Sequence, residues 1–450
     1  MRTTGWTRTG AVVAALGVLW VGAAGAAVLT ADDAVKIALQ RSGQIVNANA
    51  GILDARGSLR GAYGGLLPSL SLSYSRAESR TTNSVSSDYV GGVVFPSPPS
   101  DLRNTSTTPS IGTTWGVLNL SSWAGLSAAR QGLRASRLQR DATRSDVALA
   151  TRREFYAVVQ AIKLAEVSAG ALHLASDDER RVKAMFEVGS VSKSDLLKAQ
   201  VRTAQSEFDL LAAQHAVTVQ RVALATQMGI RESELGEVDT LLVATPQTFD
   251  EPALLSEAAK NRPDLIAAEA ELKSARASLA SARMARLPYV TASGSATFSP
   301  KSTQTVTPAA GSQFGFGSES DRSLAARVTL SWDVFNLGSI EARIMSARAR
   351  VDRAREAHDA LQRNLASEVH QQILAYTEAV EQDRVAERGL ESAVENLKLT
   401  QEKYNVGSST ILELIDAQVQ LQTAQSNVVK ALAAIRVAEA QINRVRGHGE

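Results

Sequence analysis

The sequence predicts a tandem-duplicated chain of mixed α+β class, with short strands set between very long helices. Three observations lead there. Most segments of the first half recur about 218 residues later. Four segments of roughly ten residues alternate polar and apolar side chains, the period of a β-strand. Two proline-free stretches, 122–187 and 338–405, carry a helical pattern rich in alanine and glutamine.

The duplication is visible at several points. ALQRSGQIVNANA (38–50) matches AAKNRPDLIAAEA (258–270), and LPSLSLSYS (67–75) matches LPYVTASGS (287–295), both at an offset of 220. VGSVSKSDLLKAQV (188–201) matches VGSSTILELIDAQV (406–419) at 218. Such a period is too long for a solenoid and marks a duplicated domain. The expected organisation is a signal peptide over 1–27, a first repeat over 28–245 and a second over 246–450. Arg2, Arg8 and the apolar run AVVAALGVLWVGAAGAA before Ala24-Gly25-Ala26 form the export signal. An uncleaved anchor is the other reading of that run. No later segment looks apolar enough to cross a membrane as a helix.

Each repeat opens on a helix, 31–62 or 253–285. A strand follows, in which Leu70, Leu72 and Tyr74 alternate with Ser69, Ser71, Ser73 and Ser75; its counterpart alternates Val290, Ala292, Ala296 and Phe298 with Thr291, Ser293, Ser295 and Thr297. A turn-rich stretch rich in Ser, Thr, Pro and Gly comes next, 80–109 or 301–322. The second strand carries Ile111, Trp115 and Val117, or Val328, Leu330, Trp332 and Val334 set against Arg327, Thr329, Ser331 and Asp333. The β-hairpins thus span 67–120 and 287–335. The long helix then reaches roughly 100 Å at 1.5 Å per residue. It turns at 188–195 or 406–416, and a second helix returns over 192–228 or 410–446. The returning helices carry heptad seams, from Leu197 through Phe208 to Val222 and from Leu414 through Ile435 to Val445, which are expected to bury against neighbouring helices.

Composition excludes several classes. With 48 Lys and Arg against 46 Asp and Glu, loss of Arg2 and Arg8 leaves the mature chain neutral, so nothing argues for nucleic acid. The chain has no cysteine, which excludes disulfides, thiol catalysis and cysteine metal sites. His173, His215, His358, His370 and His448 show no metal-ligand spacing, and His215 reads as a packed seam residue. Phosphate loops, nucleophile elbows and paired catalytic carboxylates are not found, so no enzyme, metal or cofactor is expected.

Strands of about ten residues with one hydroxyl-rich and one apolar face have the length of a transmembrane β-strand. A soluble sheet half-buried on helices satisfies the same period. In lipid an open sheet edge is untenable, and four strands cannot close a barrel. Three copies would supply twelve.

LTADDAVKIAL near the start, NRPDLIAAEAEL (261–272), the Leu-Pro junctions at 67–68 and 287–288 and the two Val-Gly turns resemble the TolC-like outer-membrane efflux protein family over nearly the whole mature chain. The resemblance implies a homotrimer with a 12-stranded outer-membrane β-barrel, four strands per chain, continued by a long periplasmic α-helical barrel. It implies a passive exit channel of a tripartite efflux or type I secretion system. Its partners would be outer-membrane lipid, a periplasmic adaptor (membrane fusion protein) and an inner-membrane pump of RND, ABC or MFS type. The linker 236–252 would lie in a mixed equatorial zone. A periplasmic coiled-coil adaptor or a secreted scaffold would explain the helices but not the four strands.

The resemblance also assigns residues. Val188, Gly189, Ser190 and Val406, Gly407, Ser408 would form the tip that contacts the adaptor. Glu413 and Asp416, three apart on one helix face, would ring the lumen, and Ser194, Asp195 and Tyr404 would belong to the closing network. The family's gate arginine is replaced here by Ser409, leaving Lys193 as the candidate cation. The plainer reading of the acids is helix capping.

Overall fold

In the computed structural model, which describes residues 28–83, 86–90, 93–97, 100–299, 303–308, 314–317, 321–336 and 338–447, the chain is drawn out into strands at one end and long helices at the other. The expected signal peptide (1–27) and His448 lie outside those residues.

The chain begins with α1 (Ala31–Arg41) and α2 (Gly43–Gly64). Strands β1 (Ser69–Asn83), β2 (Ser86–Val90), β3 (Val93–Ser97) and β4 (Ser100–Leu118) follow. Then come α3 (Leu120–Glu187) and α4 (Lys193–Met228). The second half repeats the order: α5 (Glu251–Asn261), α6 (Pro263–Met284), β5 (Tyr289–Ser299), β6 (Thr303–Pro308), β7 (Phe314–Gly317), β8 (Asp321–Ser331), α7 (Ser339–Asn405) and α8 (Ile411–Arg446).

Four expectations need correction. The opening helix of each repeat is two helices, broken at Ser42 and at Arg262, whose ψ values of 134° and 116° are extended. Pro263 explains the second break, because a proline forces its predecessor out of the helical region. No proline marks the first. The turn-rich stretches are largely strand: β1 runs on to Asn83 and β4 starts at Ser100, pairing from Ser69↔Thr114 to Asn83↔Ser100. The last strand ends at Ser331, before Val334. Finally, α3 is long and apolar enough, by length and composition, to cross a membrane. Its apolar weight has another use, because Val147, Phe155, Val158 and Val159 lie in an inter-helix core.

Among the described residues the named strands pair antiparallel, and the four principal strands lie in the order β1–β4–β5–β8. One face carries Leu70, Leu72, Tyr74, Leu324, Val328 and Leu330, all exposed. The other carries serines that fix the ladder: Ser69 Oγ donates to Thr114 O (3.1 Å), Ser71 Oγ to Gly112 O (3.2 Å) and Ser75 Oγ to Thr108 O (3.3 Å). At the helical end of the sheet two tryptophans latch strand ends to the turns that follow α2 and α6. Trp115 Nε1 donates to Leu66 O (3.0 Å) and Trp332 Nε1 to Arg286 O (3.1 Å), each reaching the segment just before a Leu-Pro junction.

The helices form two stacked layers. Near the sheet α2 packs on α3, α3 on α6 and α6 on α7; farther away α4 packs on α3, α3 on α8 and α8 on α7. Between the layers each repeat builds its own core. Ala34, Ala38, Val147, Val158 and Leu224 fill the first, and the equivalent Leu254, Ala258, Leu365, Tyr376 and Ile442 fill the second. Complete burial of side chains such as Leu224 and Ile442 stabilises by roughly 1.5–3 kcal/mol each. The segment after α4 joins the first core through Leu235 and, in the linker, Val238, with a parallel bridge between Leu29 and Val238.

Arg262 accounts for the NRPDL motif. It is buried, its guanidinium meets both oxygens of Asp264, and its Nη1 lies 2.6 Å from Glu368 on α7. Glu368 in turn accepts from Arg444 of α8, which also pairs with Asp146 of α3. A buried cation of this kind needs such partners to offset its lost hydration.

Candidate functional site: the helical hairpin turns

Far from the sheet, both helical hairpins reverse through the same backbone device. Gly189 N–H donates to Phe186 O (2.9 Å) and Ser190 N–H to Met185 O (2.8 Å); Gly407 N–H donates to Tyr404 O (3.0 Å) and Ser408 N–H to Lys403 O (2.9 Å). This is the Schellman pairing that closes a helix on a left-handed residue. Gly189 and Gly407 have φ of 78° and 76°, and a Cβ on either would meet open space. Glycine is therefore needed for conformation and not for crowding. Val188 and Val406 project beside them, 77% and 79% exposed.

The next helix starts with a cap in each case. Ser192 Oγ accepts from Asp195 N–H (3.2 Å) and donates to Asp195 Oδ2 (2.8 Å). Thr410 Oγ1 accepts from Glu413 N–H (3.3 Å), and Ser409 Oγ donates to the Glu413 carboxylate. The Ser192 hydroxyl, backed by Lys198, holds the Asp195 carboxyl below its usual range, and the Ser409 hydroxyl does the same for Glu413. Asp416 is held by Gln420 (2.6 Å). Glu413 and Asp416 both stand exposed on α8. Lys193 and Ser194 are exposed, and Lys193 has no ion-pair partner among the described residues.

Tyr404 is placed differently. It is buried with Val182, Ala199, Ile411 and Leu414, and its hydroxyl has no hydrogen-bond partner among the described residues. Burial pushes its phenol up, reinforced by the charges of Asp195 and Asp178 and opposed by Arg181. Sequence reading missed the polar group beside it. Asp178 of α3 is buried, accepts from Gln418 of α8 and lies 3.2 Å from Arg181 as an ion pair. Burial pushes its carboxyl up against the pull of Arg181 and Gln418. The signal was available, because Asp178 stands three residues after Ala175 and four before Val182, both buried.

The two seams part company. Ala417, Ala431, Ile435, Ala438, Ile442 and Val445 of α8 are buried within the chain, whereas the α4 seam is exposed: Leu197 51%, Val201 69%, Phe208 67%, Leu211 54% and Val222 46%. The expected burial of the α4 seam, and with it the packing of His215, does not occur within one chain, because α4 is the edge of its layer. His370 Nδ1 lies 3.2 Å from Glu251 and His358 Nδ1 3.0 Å from Asp359. Among the described residues no three His, Asp or Glu side chains gather as a metal site would require.

A sequence profile described as Outer membrane efflux protein matches the chain twice, at residues 34–230 and 254–448. The chain belongs to that family. "Outer membrane protein TolC" of Vibrio cholerae is 23% identical over 312 residues, 69% of this chain and 70% of that protein. The Campylobacter jejuni CmeC outer membrane channel superposes with a TM-score of 0.75 at 16% identity, covering 93% of this chain and 86% of the other. The outer membrane protein VceC of Vibrio cholerae gives 0.71 at 19% identity, covering 93% and 96%. As an outer membrane efflux protein, the chain is an outer-membrane channel with a periplasmic extension, in which strands supply a barrel and helices a tunnel. Its relatives are channels, not enzymes.

Proposed function

We propose that three copies of this chain close into one passive exit duct, opened at its periplasmic tip by an adaptor and an inner-membrane pump. The observation that carries the reading is a shared edge order. In the sheet the edges are β1 and β8; in the upper helical layer α2 and α7; in the lower layer α4 and α7. One edge always belongs to the first repeat (28–245) and the other to the second (246–450), so copies join head to tail and the ring closes. β8 of one copy then pairs with β1 of the next, which removes the open edges from lipid. The apolar face meets lipid and the hydroxyl face lines the lumen. The exposed α4 seam meets the exposed Leu374, Val385, Val394 and Leu399 of the neighbour's α7. Since the chain has no cysteine, Phe208→Cys and Val385→Cys together give bismaleimide-linked trimers, and neither alone does. Failure of the pair to link, in protein that reaches the outer membrane, rejects the head-to-tail order.

The six Val-Gly-Ser turns of a trimer form the contact ring for the adaptor hairpins. An arginine at Gly189 or Gly407 abolishes export and leaves membrane assembly intact. An asparagine, which tolerates the left-handed conformation, preserves most export. Equal activity in both variants would remove the turns from the docking surface.

Glu413 and Asp416 supply six carboxylates around the constriction, which favours cations. Asp195, Ser194 and Tyr404 hold the hairpins together there, with Lys193 as the cation in place of the arginine that Ser409 replaces. In planar bilayers, Glu413→Ala with Asp416→Ala lowers the potassium preference and abolishes block by multivalent cations. Unchanged selectivity would reduce both acids to their local caps.

A further inference from the structure

The geometry points to a second charged ring, of opposite sign, half-way up the barrel: we propose that Arg327 makes the outer-membrane segment attract oxyanions. This rests on the threefold barrel of the preceding section. The register places Arg327 opposite Ser293, Ser293 opposite Thr114 and Thr114 opposite Ser69, so all four side chains lie on one face of the sheet. That is the hydroxyl face, which lines the lumen. The opposite face of β8 carries Leu330, Val328, Ala326 and Leu324 before Arg322, and Trp332 follows directly after the strand, giving an apolar band with an indole at one end and a guanidinium at the other. Arg327 sits at its midpoint, five residues from each end.

Two properties make this charge effective. First, it is uncompensated. On the inward face of the four principal strands the other charged side chain among the described residues is Asp321, six residues along β8, roughly 20 Å at 3.4 Å per residue. Arg327 is exposed and has no ion-pair partner among the described residues, and the β1 strand that would adjoin it presents Ser69, Ser71, Ser73 and Ser75. Second, a guanidinium is always charged and binds carboxylate or phosphate oxygens through two parallel N–H donors. Three of them in a hydroxylated stretch of lumen, with the Asp321 carboxylates roughly 20 Å away at 3.4 Å per residue, form a weak station for anionic groups on solutes passing outward. The acidic tip and the basic barrel then act in series.

The test uses the full-length trimer in planar bilayers, with the zero-current potential read under a potassium chloride gradient. At about 0.1 M salt, Arg327→Ser raises the potassium-to-chloride permeability ratio roughly three- to fivefold, and Arg327→Glu raises it further. At about 1 M salt the difference shrinks towards one, because the screening length falls to roughly 3 Å. Inositol hexakisphosphate added on the extracellular side blocks the wild type, and Arg327→Ser relieves the block. An unchanged ratio and unchanged block in both variants, with a conducting wild type, overturns the basic ring alone. A wild type that assembles no trimer overturns the duct and the ring together.

Discussion

Aspartate at both Phe208 and Leu211 leaves a folded chain that no longer forms trimers. The two side chains are 67% and 54% exposed on α4, so within one copy the substitution removes little packing. In the assembled ring each would be buried against the neighbour, at about 1.5–3 kcal/mol per large apolar side chain, and the change enters three interfaces at once. Buried carboxylates without partners add a further penalty. The measurement is heat-modifiable migration on gels and size in detergent, with helicity read by circular dichroism. Loss of trimer with helicity retained is the expected result; retained trimer would mean the seam faces water. Ile435→Asp is the informative contrast. That residue, on the α8 seam, is 1% exposed within its own chain, so its replacement abolishes folding and not just assembly.

The second large effect concerns Gly229 and Gly447, the residues that end the two returning helices. Both are left-handed, with φ of 70° and 82°, and neither has space. A Cβ on Gly229 would stand 2.5 Å from Arg41 O, and one on Gly447 2.6 Å from Asn261 O. The helix ends therefore abut the ends of α1 and α5, where the opening helices of the repeats break. Alanine at either site adds about 1–2 kcal/mol of left-handed strain and displaces a backbone that cannot yield without opening its core. Gly229→Ala and Gly447→Ala each lower the temperature at which trimers dissociate. Gly189→Ala and Gly407→Ala carry the same strain without the clash and lower it less. Equal losses at all four positions would show that only the dihedral matters.

Much of this architecture was legible because periods survive in sequence. The alternation at Leu70, Leu72 and Tyr74 and the proline-free helical runs needed no tertiary information. What was not legible depends on partners. The seams on α4 and α8 have the same spacing, yet Ile435 meets its own chain and Phe208 does not; spacing records an apolar stripe, not its owner. The Ser- and Thr-rich stretch near residue 105 reads as turn by composition, but β4 passes straight through it because Thr105 and Thr107 pair with Glu78 and Arg76. The break at Ser42 carries no proline, whereas the break at Arg262 does. At the tip, the fold gives Asp195 and Glu413 local hydroxyl partners, so their capping role is visible within one chain. Asp178, by contrast, betrayed itself by standing in an apolar register and was overlooked.

The tryptophan latches have a mechanical corollary. Trp115 and Trp332 each tie the end of one strand to the carbonyl of the segment entering a neighbouring strand, so a trimer carries six such ties. A torsion applied to the hairpin ends travels up α3 and α7 until it meets those ties. There the indoles, held to the backbone, resist rotation. In such a trimer the strands above would act as a fixed flange, and any movement of the hairpin ends would have to be absorbed as changes of supercoil in the helices beneath it.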